Sequence, residues 1–526
     1  MYFETYKNTF AVDVLEGLGL VKLDNFEFLT PAADNTEREY DPEKCDSTEQ
    51  SGDGTQQDPY LVDFSRATDS EHPHNWTTGK RFVTVCNIML LTCVTYMGTS
   101  IYTPGQDLIQ DEFHVGHVVG TLNLSLYILG FGLGPLVFAP LSELVAIGRQ
   151  RLFIVTLFAF AILQIGCALV KNIAGLIILR FLAGVFCSPS LANGAAAVGD
   201  VVKPKHVPVV LGLWAIGALA GPATGPLLGA AMIDAKGWRY MFWILMWISS
   251  ATLLLMVFFF PETNEDNILY RRCQRIRKAT GDRRYYTMKS KDEEKLTFKD
   301  ICVMTLYRPF QIIAREPIVI ALNTYHAVEY GVFYLFFEAF PIVFSKIYHF
   351  TRVQLGLSYL GFCVGCITAY AVAMLFYWCF ATKRIAANTF TPETHLVLTI
   401  WVCWTLPCSL FLFAWAASVH WIIPMISEVL FIVGQFNIFQ SVFSYLAMSY
   451  PKYMASVFAG NNLCRSVLAC VFPLFGRAMY DNLAIPGYPV GWGSSLVGFL
   501  CLILSLVPFV LYKYGPYLRS RSKFAG

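Results

Sequence analysis

The chain has 526 residues, 55% of them hydrophobic and only 14% charged. Soluble domains carry about 25% charge, so this composition argues against a string of soluble domains, and a formal net charge of +2 offers no basic face for nucleic acid. The small net value hides an asymmetry: residues 1–81 hold 17 Asp and Glu against 7 Lys and Arg.

That acidic opening, residues 1–81, reads as a cytoplasmic and largely disordered tail. Met1-Tyr2-Phe3-Glu4 lacks the basic stretch and apolar core of a cleavable signal. Phe10 to Leu20 is apolar but carries Asp13 and Glu16 and is too short to span a bilayer, which leaves an interfacial or loosely packed helix. Beyond it come twelve apolar runs, each close to the ~20 residues that cross a ~30 Å hydrocarbon core. They lie at about 82–102, 118–140, 152–170, 173–193, 207–231, 239–259, 316–340, 353–378, 395–416, 420–446, 454–476 and 491–514. The expected fold is therefore an all-α membrane protein of twelve transmembrane helices in two six-helix bundles, 82–261 and 315–514. A charged cytoplasmic loop, 262–314, separates them, and a short cytoplasmic tail, 515–526, closes the chain. Two such halves enclosing a central cavity is a plan of secondary transporters. With the N-terminus inside, 26 Lys and Arg flank the inner connections and six the outer ones. The positive-inside rule then puts both termini in the cytoplasm.

In chain order, the first motif is the connection from Gly134 to Arg151 between spans two and three. Glu143 followed by Gly148 and Arg149 can form a cytoplasmic charge latch, or it is an ordinary polar turn. Arg180 lies about seven residues from the outer end of span four, ~11 Å deep. A charge there is expensive and marks function, or it snorkels or pairs structurally. Span five carries Gly217, Gly221, Gly225 and Gly229 at a spacing of four, with Pro222 and Pro226. This lays small residues on one face for close helix approach and predicts a bent helix sealing against a partner. In span seven Glu329 lies deep, with His326 a turn before it, among Tyr325, Tyr330, Tyr334 and several Phe. Glu338, nearer the outer end, is expected to face water. Glu428 and Arg465, at mid-depth in spans ten and eleven, are expected to pair. Tyr325, Tyr330, Tyr334, Gln435 and Asn461 are candidates for an adaptable aromatic and polar cavity wall. Cys363-x-x-Cys366 falls inside a span and reads as packing. His114-x-x-His117 is a weak zinc signal, and no metal site is expected. No Gly-x-x-x-x-Gly-Lys-Ser/Thr phosphate loop occurs, so no nucleotide cofactor is expected and an ion gradient is the expected energy source.

These residues resemble the major facilitator superfamily, and within it the fungal twelve-span drug:proton antiporters. Gly217-Ala218-Leu219-Ala220-Gly221-Pro222 matches their antiporter signature, and Arg180-Phe181-x-x-Gly184 matches their helix-four motif. Gly134 to Arg151 matches the loop motif, departing from it in Glu143 for the usual Asp and in two extra residues before Gly148. Pro73-His74-Asn75-Trp76, Tyr102-Thr103-Pro104-Gly105, Tyr334 to Pro341 and Pro261-Glu262-Thr263 match as well. The resemblance implies a plasma-membrane exporter of azoles such as fluconazole, benomyl and other unrelated toxic compounds, driven by protons. It implies a role for Arg180 in proton coupling. From its depth in span seven, Glu329 is the candidate for the protonated acid. Small hydrophobic drugs, protons and the lipid bilayer are the expected partners of a monomer that is not an enzyme. A facilitator importing a small nutrient, and a membrane sensor that binds without transporting, are the alternatives on the same fold.

Overall fold

The computed structural model describes residues 7–18, 60–64, 69–203, 206–293 and 303–525. These residues are helical apart from turns, connections and three isolated β-bridges. Twelve helices are long and apolar enough to cross a membrane. They are α1 Thr78–Phe113, α2 His117–Glu143, α3 Gly148–Leu169, α4 Ile173–Val201, α5 Val207–Lys236, α6 Arg239–Phe259, α7 Pro317–Ile347, α8 Arg352–Ala386, α9 Glu393–Ala416, α10 Ile422–Ser449, α11 Ser456–Asn482 and α12 Gly491–Arg521.

Most of these helices run beyond the apolar stretches, because proline and turn residues interrupt them without ending them. In α1 the regular helix stops at Ser100, passes a 3-10 turn at Thr103–Gly105 and resumes over Gln106–Phe113. In α2, α4 and α7 the second segment starts on Pro135, Pro189 and Pro341, at the first position of a helix where a missing N–H does no harm. Helix α5 continues through Pro222 and Pro226, each of which leaves one bond missing from its backbone ladder.

The stripe of small residues on α5 has α1 as its partner, inside the same bundle. A Cβ at Gly221 would collide with the Cys93 carbonyl and the Tyr96 side chain, and one at Gly225 with Ser100. The bundles meet along other faces. Gly356 of α8 sits against Pro226 and Leu227 of α5, and Gly132 of α2 against Ser466 of α11. Helix α7 is buried over almost its whole circumference, so its aromatic residues pack within protein and not against lipid.

The described part of the acidic opening is docked, not solvated. The helix Phe10–Gly17 lies on the basic helix Glu265–Thr280 of the central connection. Asp13 pairs with Arg271 at 2.7 Å and Glu16 with Arg275 at 3.2 Å. Val62 N–H bonds the Tyr286 carbonyl at 2.9 Å. Arg272 reaches both Asp69 and Glu71 at 2.9 Å. Burial opposes ionisation of Glu71, but Lys7 and Arg272 beside it outweigh burial and hold its carboxyl below the usual range. The acidic excess of the opening is thus partly neutralised by the basic run of the connection.

Candidate transport site

Arg180 is wholly buried and has no acid within ion-pair distance among the described residues. Its guanidinium donates to the carbonyls of Gly98 at 2.7 Å, Thr99 at 3.3 Å and Asn123 at 3.3 Å, and lies 4.4 Å from the centre of the Tyr127 ring. The first two carbonyls belong to the last turn of the α1 segment that stops at Ser100. Such carbonyls lose their intrahelical partners and carry the negative end of the helix dipole. Arg180 therefore ties together the broken end of α1, α2 and α4, and it stands apart from Glu329.

Glu329 is buried in α7, and neither carboxyl oxygen has a hydrogen-bond partner. It shares a helix face with Tyr325, whose hydroxyl is likewise unpartnered. The expected pair of Glu428 and Arg465 does not form. Glu428 accepts the Phe362 N–H at 3.0 Å, where α8 resumes after a break at Tyr359–Leu360, and so caps that segment. Arg465 instead donates twice to the Asn462 Oδ1, at 3.0 and 2.7 Å. Glu338, expected in water, is only 5% exposed and reaches across the bundles to His117 at 3.2 Å and Thr121 at 3.5 Å.

The charge latch at the α2–α3 connection exists with a different acid. Glu143 is exposed at the end of α2. Glu262 takes the central place, accepting the backbone N–H groups of Arg149 at 3.1 Å and Gln150 at 3.2 Å and facing Arg271 at 3.3 Å. A carboxylate on the first amides of a helix is a favourable anion site. Gly148 has φ of +71°, and a Cβ there would strike that carboxylate. Arg149 itself pairs with Asp200 of α4.

Between the bundles lies a cavity of about 520 Å³, counting the space continuous with solvent. It is walled by Tyr96 of α1, Leu191 of α4, Trp214, Ala215, Ala218, Leu219 and Pro222 of α5, His326, Tyr330 and Phe333 of α7, Gln435, Phe436 and Phe439 of α10, and Arg465 of α11. Of the expected wall residues, Tyr330 and Gln435 are there. Tyr325 points elsewhere. Tyr334 backs the wall through its hydroxyl, 3.3 Å from that of Tyr330. Asn461 stands behind it, bonded to His326 Nδ1 at 2.9 Å and Asn323 at 2.8 Å. Of the antiporter signature, Pro222 lines the cavity with Ala218 and Leu219, while Gly217, Gly221 and Gly225 face α1. On α5 and α7 the wall residues not anticipated follow helical spacing: 218 and 219 beside Pro222 with 215 a turn further on, and 326 and 333 on either side of Tyr330. Extending the face from Tyr330 or Pro222 by three and four residues would have found them.

The family model of the Major Facilitator Superfamily matches residues 88–473. Fluconazole resistance protein 1 of Saccharomyces cerevisiae is 55% identical over 546 residues, which cover 100% of this chain and 99% of that protein. Multidrug transporter FLR1 of Candida glabrata is 57% identical over 470 residues, 89% of this chain and 84% of that protein. A crystal structure of a peptide transporter POT mutant in complex with alafosfalin superposes with a TM-score of 0.58 at 13% identity, covering 86% of this chain and 98% of that one; at that identity the likeness speaks for the fold alone. Twelve membrane-length helices, a cavity shared by two bundles and these matches lead to one assignment: the chain belongs to the major facilitator superfamily, as a multi-pass membrane protein of its transporter fold.

Proposed function

We propose that this protein exports structurally unrelated apolar toxic compounds, fluconazole and other azoles among them, from the cytoplasm across the plasma membrane in exchange for protons. The observation that carries the reading is the cavity between the bundles, whose wall is drawn from both and is mostly aromatic and aliphatic. Such surface with few polar groups holds ligands of many shapes. The names of the full-length yeast relative and the Candida glabrata transporters supply the substrate class.

For coupling, Glu329 is the proposed proton carrier. It is a buried carboxyl without a donor, and intramembrane acids of this kind are expensive and mark proton relays. Arg180 serves coupling by holding α1, α2 and α4 as one piece when the bundles rock, and both termini face the cytoplasm. One proton crossing 100 mV supplies ~2.3 kcal/mol, and two pH units add ~2.7 kcal/mol. That energy supports a drug gradient of at most several thousandfold.

The test is uptake of labelled fluconazole into inside-out vesicles bearing the protein. An imposed proton gradient should drive accumulation, a protonophore should abolish it, and Glu329→Gln should retain drug binding while losing the response to the gradient. Accumulation indifferent to the protonophore would refute antiport.

A further inference from the structure

We propose that the central cavity selects its cargo by charge, admitting flat aromatic molecules that are neutral or anionic and turning away permanent cations. The inference deepens the export reading and rests on it.

Among the described residues, Arg465 is the one Lys or Arg in the cavity wall, and no Asp or Glu lines it. The guanidinium lies 4.6 Å from the centre of the Tyr330 ring and 5.4 Å from that of Phe439. Its hydrogen bonds run to the neutral amide of Asn462, so its charge is held in place without being cancelled. No carboxylate stands within ion-pair distance of it among the described residues. Glu329 does not line the wall. The polar remainder of the wall is suited to orienting a guest, since the buried Oε1 of Gln435 has no donor and invites an N–H or O–H.

A guest held in the cavity beside Tyr330 and Phe439 would thus meet a cation that no carboxylate of the wall cancels. A carboxylate or a ring nitrogen acceptor gains a charge-assisted bond there. A fixed ammonium at ~5 Å from the guanidinium meets like-charge repulsion, which in a partly buried site amounts to a factor on the order of a hundred in affinity.

The experiment uses the full-length protein in lipid nanodiscs and three probes on one scaffold: 1-pyrenebutyrate, its neutral amide and a pyrenyl trimethylammonium. Binding is read from quenching of tryptophan fluorescence, with Trp214 in the wall as the reporter. The carboxylate and the amide should each bind at least tenfold more tightly than the ammonium. Arg465→Gln should bring the ratio of carboxylate to ammonium affinity to within about threefold. Gln435→Glu, which adds a carboxylate to the wall without touching the arginine, should lower the same ratio at least tenfold, and it decides the matter should Arg465→Gln not fold. Equal binding of all three probes by the native protein, or a ratio unmoved by Gln435→Glu, overturns charge selection and leaves export standing. Binding of none of them overturns both.

Discussion

Arg180 spends its charge on backbone carbonyls. Three of them, on two helices, converge on one guanidinium. A guanidinium presents a planar fork of five donors, whereas an ammonium is a point charge with a short reach. Arg180→Lys keeps the charge and should still lower stability by about 2–3 kcal/mol, because buried carbonyls are left without donors. Thermal unfolding in detergent should show a clear drop in midpoint, while Arg149→Lys, on a half-buried pair with Asp200, should cost less. Equal midpoints for Arg180→Lys and the native protein would remove the carbonyl-tying role. The burial of Arg180 was legible in the sequence, since a lone arginine inside an apolar run has nowhere else to go. Its partners were not, because a carbonyl freed at a helix break carries no residue type. The same limit explains Glu428 and Arg465. Both are buried within their spans, yet position along a span says nothing of rotation, and one found a backbone N–H and the other an asparagine.

At the scale of elements, α5 carries two functions on two faces. Its glycines press on α1, and its Ala215, Ala218, Leu219 and Pro222 line the cavity. Gly221→Ala adds one methyl where the Cys93 carbonyl and Tyr96 already stand, and overpacking of this kind costs about 1–3 kcal/mol. The helices must part, so both midpoint and drug export should fall. Gly199 of α4 has nothing within 4 Å of the place an added methyl would take, and Gly199→Ala should leave the midpoint level or raise it, with a gain in stability of up to ~1 kcal/mol. If the two alanines behave alike, the stripe is incidental. The spacing of four is readable in the residues alone, but a stripe does not name its partner. Membrane helices are apolar all round, so the hydrophobic asymmetry that orients a soluble helix is missing. This is why spacing points to Tyr325 and Asn461 as wall residues and passes over Trp214 and Phe436. The charges outside the membrane show the complementary failure. An acidic opening and a basic connection each look solvated alone, and only their contact through Asp13, Arg271 and Arg272 reveals a docked segment.

For the whole molecule, the span count was fully legible because crossing a bilayer is a local property of ~20 residues. How one bundle sits on the other was not, since it depends on a few long-range contacts. Among the described residues, two contacts between titratable side chains join the bundles: His117 to Glu338 at 3.2 Å, an ion pair when the imidazole is protonated, and the Arg352–Asp234 ion pair at 3.5 Å. Both lie at the face opposite the termini. The second is 47% and 43% exposed and contributes little, as surface pairs do. In the first, the Glu338 side chain is only 6% exposed, its stem lying beside Gly476 and its carboxylate reached by Thr121. Opening that face must separate the imidazole from a carboxylate that has no other charged partner among the described residues, so the pair biases the molecule toward the state seen here. Glu338→Gln retains shape and the bond to Thr121 but removes the charge. It should raise the population open at that face by about fivefold, equivalent to ~1 kcal/mol. Distances between spin labels on the ends of α2 and α7 would report it as growth of the longer population. Arg352→Gln should move the same distribution much less. Unchanged distances in Glu338→Gln would make the pair a bystander, and closure of that face would then rest on the apolar contacts of Gly356 with Pro226 and Leu227.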